Sequence, residues 1–152
     1  MMNIEETIRQ YLPEVIHLSL ATCANNVPWI CEVHFVFDDE LNLYFRSKIG
    51  RRHSLEIASN PKVAGNIVSQ HQLGEAVRAV YFEGTAELLT DVNETHPAYI
   101  LYCARFGTGP EILEESKSVT GHGFYKISVQ NFYLFDSRES NPSSKYHLPW
   151  KG

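Results

Sequence analysis

Residues 41–61, LNLYFRSKIGRRHSLEIASNP, decide how this chain is read. Leu41, Leu43 and Phe45 alternate as on a strand. A polar turn follows, and then a short helical segment that stops at Asn60-Pro61, where proline ends it. Between 46 and 53 lie Arg46, Lys48, Arg51, Arg52 and His53, all able to carry positive charge. Ser47 ends the strand with a hydroxyl, and Gly50 gives the turn backbone freedom. Guanidinium groups, a hydroxyl and the free N–H groups of a helix start are what a bound phosphate monoester needs. The spacing predicts that Ser47, Arg52 and His53 converge on one anion, with Arg46, Lys48 and Arg51 adding contact and field.

The rest of the composition makes this turn stand out. The 152 residues carry a net charge of -5 and a pI of about 5.8, so no global basic field exists to hold nucleic acid. Hydrophobic and charged shares of 43% and 20% suit one globular domain with a real core, and 12% aromatic content leans towards strands. Three widely spaced cysteines, Cys23, Cys31 and Cys103, form no CxxC pair and read as buried free thiols. No leader and no apolar run long enough to cross a bilayer is visible, so a cytoplasmic protein that avoids membranes is expected. The seven histidines show no HExxH or comparable spacing, and no metal site is expected.

In chain order, Asn3 with Glu6 predicts a capped helix through Ile4, Ile8 and Leu12, stopped by Pro13. Strands are expected over 15–23, with Ile16, Leu18 and Leu20 on one face, and over 27–37, with Trp29, Cys31, Val33, Phe35 and Phe37 on one face. Asn25-Asn26 turns between them. The strand 41–47 completes a meander, and a helix over 51–59 is expected to turn Leu55 and Ala58 inward. Further strands are expected over 63–68, 77–89 and 123–136, with a bulge or close approach at Gly84 and a break near Gln130-Asn131. Pro97 and Gly107 bracket a helix over 94–106, and 110–116 reads as one more helical turn. Six antiparallel strands with short helices give a mainly β fold, a small barrel or a sandwich. Residues 1–136 read as the domain and 137–152 as a tail whose terminal aromatic, Trp150, can dock at a subunit interface or stay disordered.

The run LYFRSKIGRRHSLEIASNPKVAGNIV resembles the core of the pyridoxamine 5'-phosphate oxidase-like, FMN-binding split-barrel family. Ser47 falls where the family has a hydroxyl, Arg52 and His53 where it has Arg-Lys, and Asn60-Pro61 on its Asn-Pro. Arg78-Ala79-Val80 and Gly84 resemble its fifth strand, and the short length is similar to that of its small bacterial members. The resemblance implies a six-stranded antiparallel split barrel and a homodimer with FMN between the subunits. It places the phosphate on the Ser47, Arg52, His53 turn and the flavin ring along 31–36, including Val33 and His34. Gln70, His71 and Arg78 would reach the flavin from the partner subunit. It implies a flavin-dependent oxidoreductase acting on a small-molecule substrate or electron donor, with no residue singled out as catalytic. The alternative is a non-enzymatic flavin-binding or dimeric interaction module; haem binding also occurs among split-barrel relatives. The chain departs from the family at Ala79, where a Gln is expected, and in a tail whose Lys145-Tyr146-His147 lacks the oxidase's Arg. The resemblance therefore does not extend to vitamin B6 oxidation itself.

Overall fold

The computed structural model describes residues 2–138 and 145–151. Helix α1, Ile4–Tyr11, starts as predicted: the Asn3 side chain accepts from the Glu6 N–H at 3.0 Å. A 3-10 turn, Leu12–Glu14, leads into β1, His17–Ala24. Asn25 and Asn26, at φ 53° and 63°, make the two-residue hairpin turn into β2, Val27–Phe37. The Asp38 carboxylate holds the next turn by accepting from Glu40 N–H, Asn42 and Tyr44, and β3 runs Leu43–Lys48. Helix α2, Arg52–Ser59, β4, Lys62–Val68, and β5, Arg78–Leu88, follow. Helix α3, Pro97–Phe106, has proline in its first turn and Gly107 at φ 68° as its C-cap. A short α4, Glu111–Ser116, precedes the long β6, His122–Asp136. A seventh strand, β7, Tyr146–Pro149, comes from the tail.

All pairings are antiparallel. The order β3-β2-β1-β4-β5-β6 closes on itself through β3–β6, which makes a six-strand ring. The predicted fold class holds, with one correction: the tail adds a seventh strand to β6, Asn131↔Pro149 through Leu134↔Tyr146. The Trp150 indole then donates to the Glu40 carbonyl at 2.9 Å, and the ring lies edge-on to Phe132. In a single chain the terminal aromatic therefore docks on its own barrel.

The sheet has apolar packing on both faces. Inside the ring Leu18, Leu20, Phe35, Phe45, Phe82, Ile127 and Phe132 form the main core. Outside it, Val36, Tyr44 and Phe124 pack beneath Ala98 of α3 and Ile112 of α4. Arg105 fastens α3 to the rest, donating to the carbonyls of Phe35 and Val15. Burial lowers the Arg105 pKa from its ordinary value.

Three expectations about facing fail. Leu55 is 59% exposed and Ala58 is exposed, because α2 turns His53, Ser54, Glu56 and Ile57 inward. Ile16 is exposed because β1 begins one residue later and Val15 takes the inward place. Trp29 is exposed although it shares a parity with Val33 and Phe35, because the first half of β2 runs out along the hairpin. The three cysteines are half-buried free thiols; burial, with the Glu32 charge second, pushes the Cys31 thiol up to about 11.

The predicted bulge and the predicted break are one feature. Glu83 pairs with Asn131 and Gly84 with Val129, so Gln130 is the extra residue. A Cβ on Gly84 would collide with the Ser128 carbonyl. Gly84→Val should therefore cost about 1–3 kcal/mol of unfolding free energy, the usual penalty for overpacking. Urea denaturation checks this; an unchanged midpoint would mean that the bulge yields without strain.

Candidate functional site

Strand alternation divides the basic turn between two faces. Ser47 shares the inward face of β3 with Leu43 and Phe45 and is buried. From the first turn of α2, His53 enters the same space, also buried. The Ser47 Oγ and His53 Nε2 lie 2.6 Å apart, and the His53 ring faces Phe45. Burial, followed by the Arg51 charge, lowers the His53 pKa, while Glu56 works against the shift. His53 is thus neutral at pH 7 and exchanges a hydrogen bond with a hydroxyl.

Arg52, one residue earlier, points elsewhere. Its Nε donates to Glu56 Oε2 at 2.7 Å, and its guanidinium lies 4.0 Å from the centroid of the Trp29 ring. Glu56 also accepts from the Thr22 hydroxyl, and the Arg52 bond leads in holding its carboxyl below the ordinary range. Ser47 and His53 therefore meet as predicted, and Arg52 sits at the outer lip of the same helix start. That start has no side-chain cap: Arg51 occupies the N-cap position with φ -69° and ψ 153°. The first amides of α2 thus have no side-chain acceptor, and Gly50, Arg51 and Arg52 lie next to them in the chain.

Arg46 and Lys48 lie on the opposite face of β3. The Arg46 side chain, 10% exposed, sits between the Tyr102 and Phe124 rings, 5.5 Å from each centroid, and donates to Glu115 Oε2 at 2.6 Å. Lys48 is exposed and pairs in register with His122 of β6. His122 was not a candidate from the sequence. Nothing local marks it, because only the β3–β6 register brings it to the turn. Burial and then the Arg46 charge lower its pKa, with Glu115 opposing.

The other candidates are dispersed. Val33 is buried in the core, so its outward offer is backbone alone. His34 is exposed on β2 with its ring 5.3 Å from Phe106. Gln70 and His71 are exposed after β4. Arg78 is committed within its own chain, to Glu14 at 2.9 Å and over the Tyr11 ring. Ala79, where the resemblance led one to expect a Gln, is buried. Among the described residues no cluster of three or more His, Cys, Asp or Glu could hold a metal ion, and no helix is long and apolar enough to cross a membrane.

A ring of this topology, with a basic strand-to-helix turn at one corner, matches a known family over nearly its whole length. The model for pyridoxamine 5'-phosphate oxidase fits residues 4–136. The chain belongs to that family. Within curated proteins it is similar to a UPF0306 protein of Photorhabdus laumondii, 29% identical over 109 residues, which is 69% of this chain and 76% of that one. The fold of this family member is also that of the haem storage protein HutZ of Vibrio cholerae. There the TM-score is 0.66 and the identity 20%, over 89% of this chain and 95% of the other. A haem binding protein from Mycobacterium smegmatis superposes with a TM-score of 0.73 at 14% identity, over 99% of this chain and 60% of that one.

The corner at the start of α2 offers a helix start without a side-chain cap, flanked by Arg51 and Arg52, with Ser47 and His53 beneath. One consequence needs no ligand. A histidine whose folded pKa lies below its unfolded value stabilises the fold fully above about pH 6.5, and that stability is lost as pH falls through the folded pKa. His53, His96 and His122 all shift that way. The melting temperature should therefore fall between pH 7.5 and 5.5. His53→Gln, which keeps a partner for Ser47 without titrating, should flatten that fall in thermal unfolding scans.

Proposed function

We propose that this protein binds FMN as a homodimer and acts as a flavin-dependent oxidoreductase on a small-molecule substrate or electron donor. The observation that carries this reading is the uncapped start of α2, ringed by Gly50, Arg51 and Arg52, in a chain of this family. The helix-start amides take the phosphate oxygens, and the cations neutralise its charge. Ser47 and His53 support the turn from inside and offer a second layer of hydrogen bonds. The outer edge of β2 around Val33 and His34 lies along the ring, and Gln70 reaches it from the partner subunit. When bound, the flavin supplies the electron-transfer chemistry, and the chain's own residues bind, orient and exclude water. Cytoplasmic location belongs to the same reading.

The dimer has its own support. Val27, Trp29, Ile30 and Leu55 are 41–61% exposed, and they lie on the β1–β2 hairpin and α2, beside the proposed phosphate site. In a two-fold dimer the hairpin and α2 meet their copies, covering Val27 and Trp29 on one face of β2 and Ile30 on the other, and bring the second subunit to the flavin. Light scattering should give twice the mass of one chain. Ile30→Glu should yield a monomer, since it sets a charge in an apolar self-contact; a dimeric variant would place the interface elsewhere.

The reading makes a direct optical prediction. Purified protein should take up FMN at micromolar concentration and show the flavin's visible bands, with quenched fluorescence. Arg52→Ala should weaken FMN binding by about tenfold or more, the effect of one charge-assisted hydrogen bond, and should leave riboflavin binding nearly unchanged. Failure of the wild type to bind FMN would end the proposal. A second reading has one observation in its favour, namely that two of the proteins sharing this fold are named for haem. Haem titration giving a Soret band where FMN gives nothing would favour it. A chain that binds FMN but reduces no acceptor would be a non-enzymatic flavin module.

A further inference from the structure

Arg46 is a buried cation with an unfinished set of partners. Its Nη2 donates to Glu115 Oε2, and its Nε is buried with no hydrogen-bond partner among the described residues. Nε and that Nη2 share one edge of the guanidinium, the edge that an oxyanion normally takes with two parallel bonds. Glu115 fills only half of it. A buried, unsatisfied donor is costly, and a native structure that keeps one calls for a reason.

The surroundings are built for negative charge. The Tyr102 and Phe124 ring centroids each lie 5.5 Å from the guanidinium, and the Tyr102 side chain also interacts with it. His122 Nδ1 lies 3.9 Å from the same Glu115 oxygen, and Lys48 stands opposite His122 in register. The charges of Arg46, Lys48 and Arg51 all act on His122, so the cations share one locality. Among the described residues neither Lys48 nor Arg51 has an ion-pair partner, and Glu111 is the other carboxylate that feels Arg46. Glu115 itself is half exposed, on a helix of six residues anchored by Ile112. It is the member of the group best able to move.

We propose that Arg46, with Lys48 and His122, forms a second oxyanion subsite, on the face of β3 opposite Ser47, for the phosphate or carboxylate of a small-molecule ligand. Glu115 occupies that subsite in the free chain and is displaced when the ligand's oxyanion takes both Nε and Nη2. This subsite stands apart from the flavin reading, since the two phosphate positions use different faces of β3.

The test reads the His122 imidazole resonance by NMR while inorganic phosphate, and in a separate arm acetate, is titrated into the full chain. Glu115→Gln should tighten phosphate binding about tenfold over wild type, since a competing ion pair is lost. Arg46→Gln combined with Glu115→Gln should abolish the His122 response. Arg52→Ala should leave it intact, which separates this subsite from the α2 start. A response to acetate as strong as to phosphate assigns the subsite to carboxylates, and a response to phosphate alone assigns it to phosphate esters. The proposal is overturned if Glu115→Gln binds neither anion more tightly than wild type. It is also overturned if the double variant, folded by circular dichroism, still moves His122. Should the double variant not fold, the comparison of Glu115→Gln with wild type decides.

Discussion

The rest of the structure depends on one strand carrying three partners. One edge of β6 pairs with β5 along most of its length. Its other edge is shared: the first half, His122 to Ile127, closes the ring on β3, and the second half, Asn131 to Leu134, takes β7. A flat strand of this length could not leave the ring halfway along. The extra residue Gln130 provides the bend, and Gly84 allows the opposing backbone to come close. The Trp150 N–H donates to the Gln130 carbonyl at 2.7 Å, so the bulge also receives the end of the tail. The departure of β6 from the ring and the docking of the tail therefore share a single distortion. The tail covers an edge that would otherwise offer free N–H and C=O groups to another chain.

Alternation along β3 decides the electrostatics. Successive side chains take opposite faces, so Ser47 goes under α2 while Arg46 and Lys48 go under or beside α3 and α4. A cluster of cations that looks like one grip in the sequence becomes two neighbouring charge centres with different solvation. The inner one is a neutral histidine–hydroxyl pair, which burial tolerates. The outer one, Arg46, is met by the Glu115 carboxylate and two aromatic rings.

Local signals were legible wherever the chemistry is local. The Asn3 cap, the Asn25-Asn26 hairpin, Pro97 and Gly107 around α3, and Gly84 at the bulge each impose a backbone geometry that few other residues satisfy. Period-two patterning gave the bounds of β2 to the residue. The failures all involve partners distant in sequence. Around β7 the alternation covers only Tyr146, Leu148 and Trp150, too short a run to read as a strand, and β7 pairs because β6 leaves an edge open. His122 joins the basic turn only through register. At the basic turn, the strand-to-helix corner was legible, whereas the Ser47–His53 contact and the diversion of Arg52 to Glu56 and Trp29 were not, because the latter needs β1 and β2 alongside α2.

Helix α2 shows why its facing could not follow hydrophobicity. It buries His53, Ser54 and Glu56 beside Ile57 and exposes Leu55, so polar groups share its inward face. Each buried polar group has a partner: Ser47 for His53, the Lys48 carbonyl for Ser54, Thr22 and Arg52 for Glu56. These bonds fix the helix's rotation, since any other rotation would strand a buried donor or acceptor at a cost exceeding the gain from burying one leucine. The rotation leaves the first turn without a side-chain cap and sets Leu55 outward. A helix start without a side-chain cap and an outward Leu55 are thus two results of the same polar network. Under the proposed reading both are used at once, the helix start by a phosphate and Leu55 by a second copy of the chain.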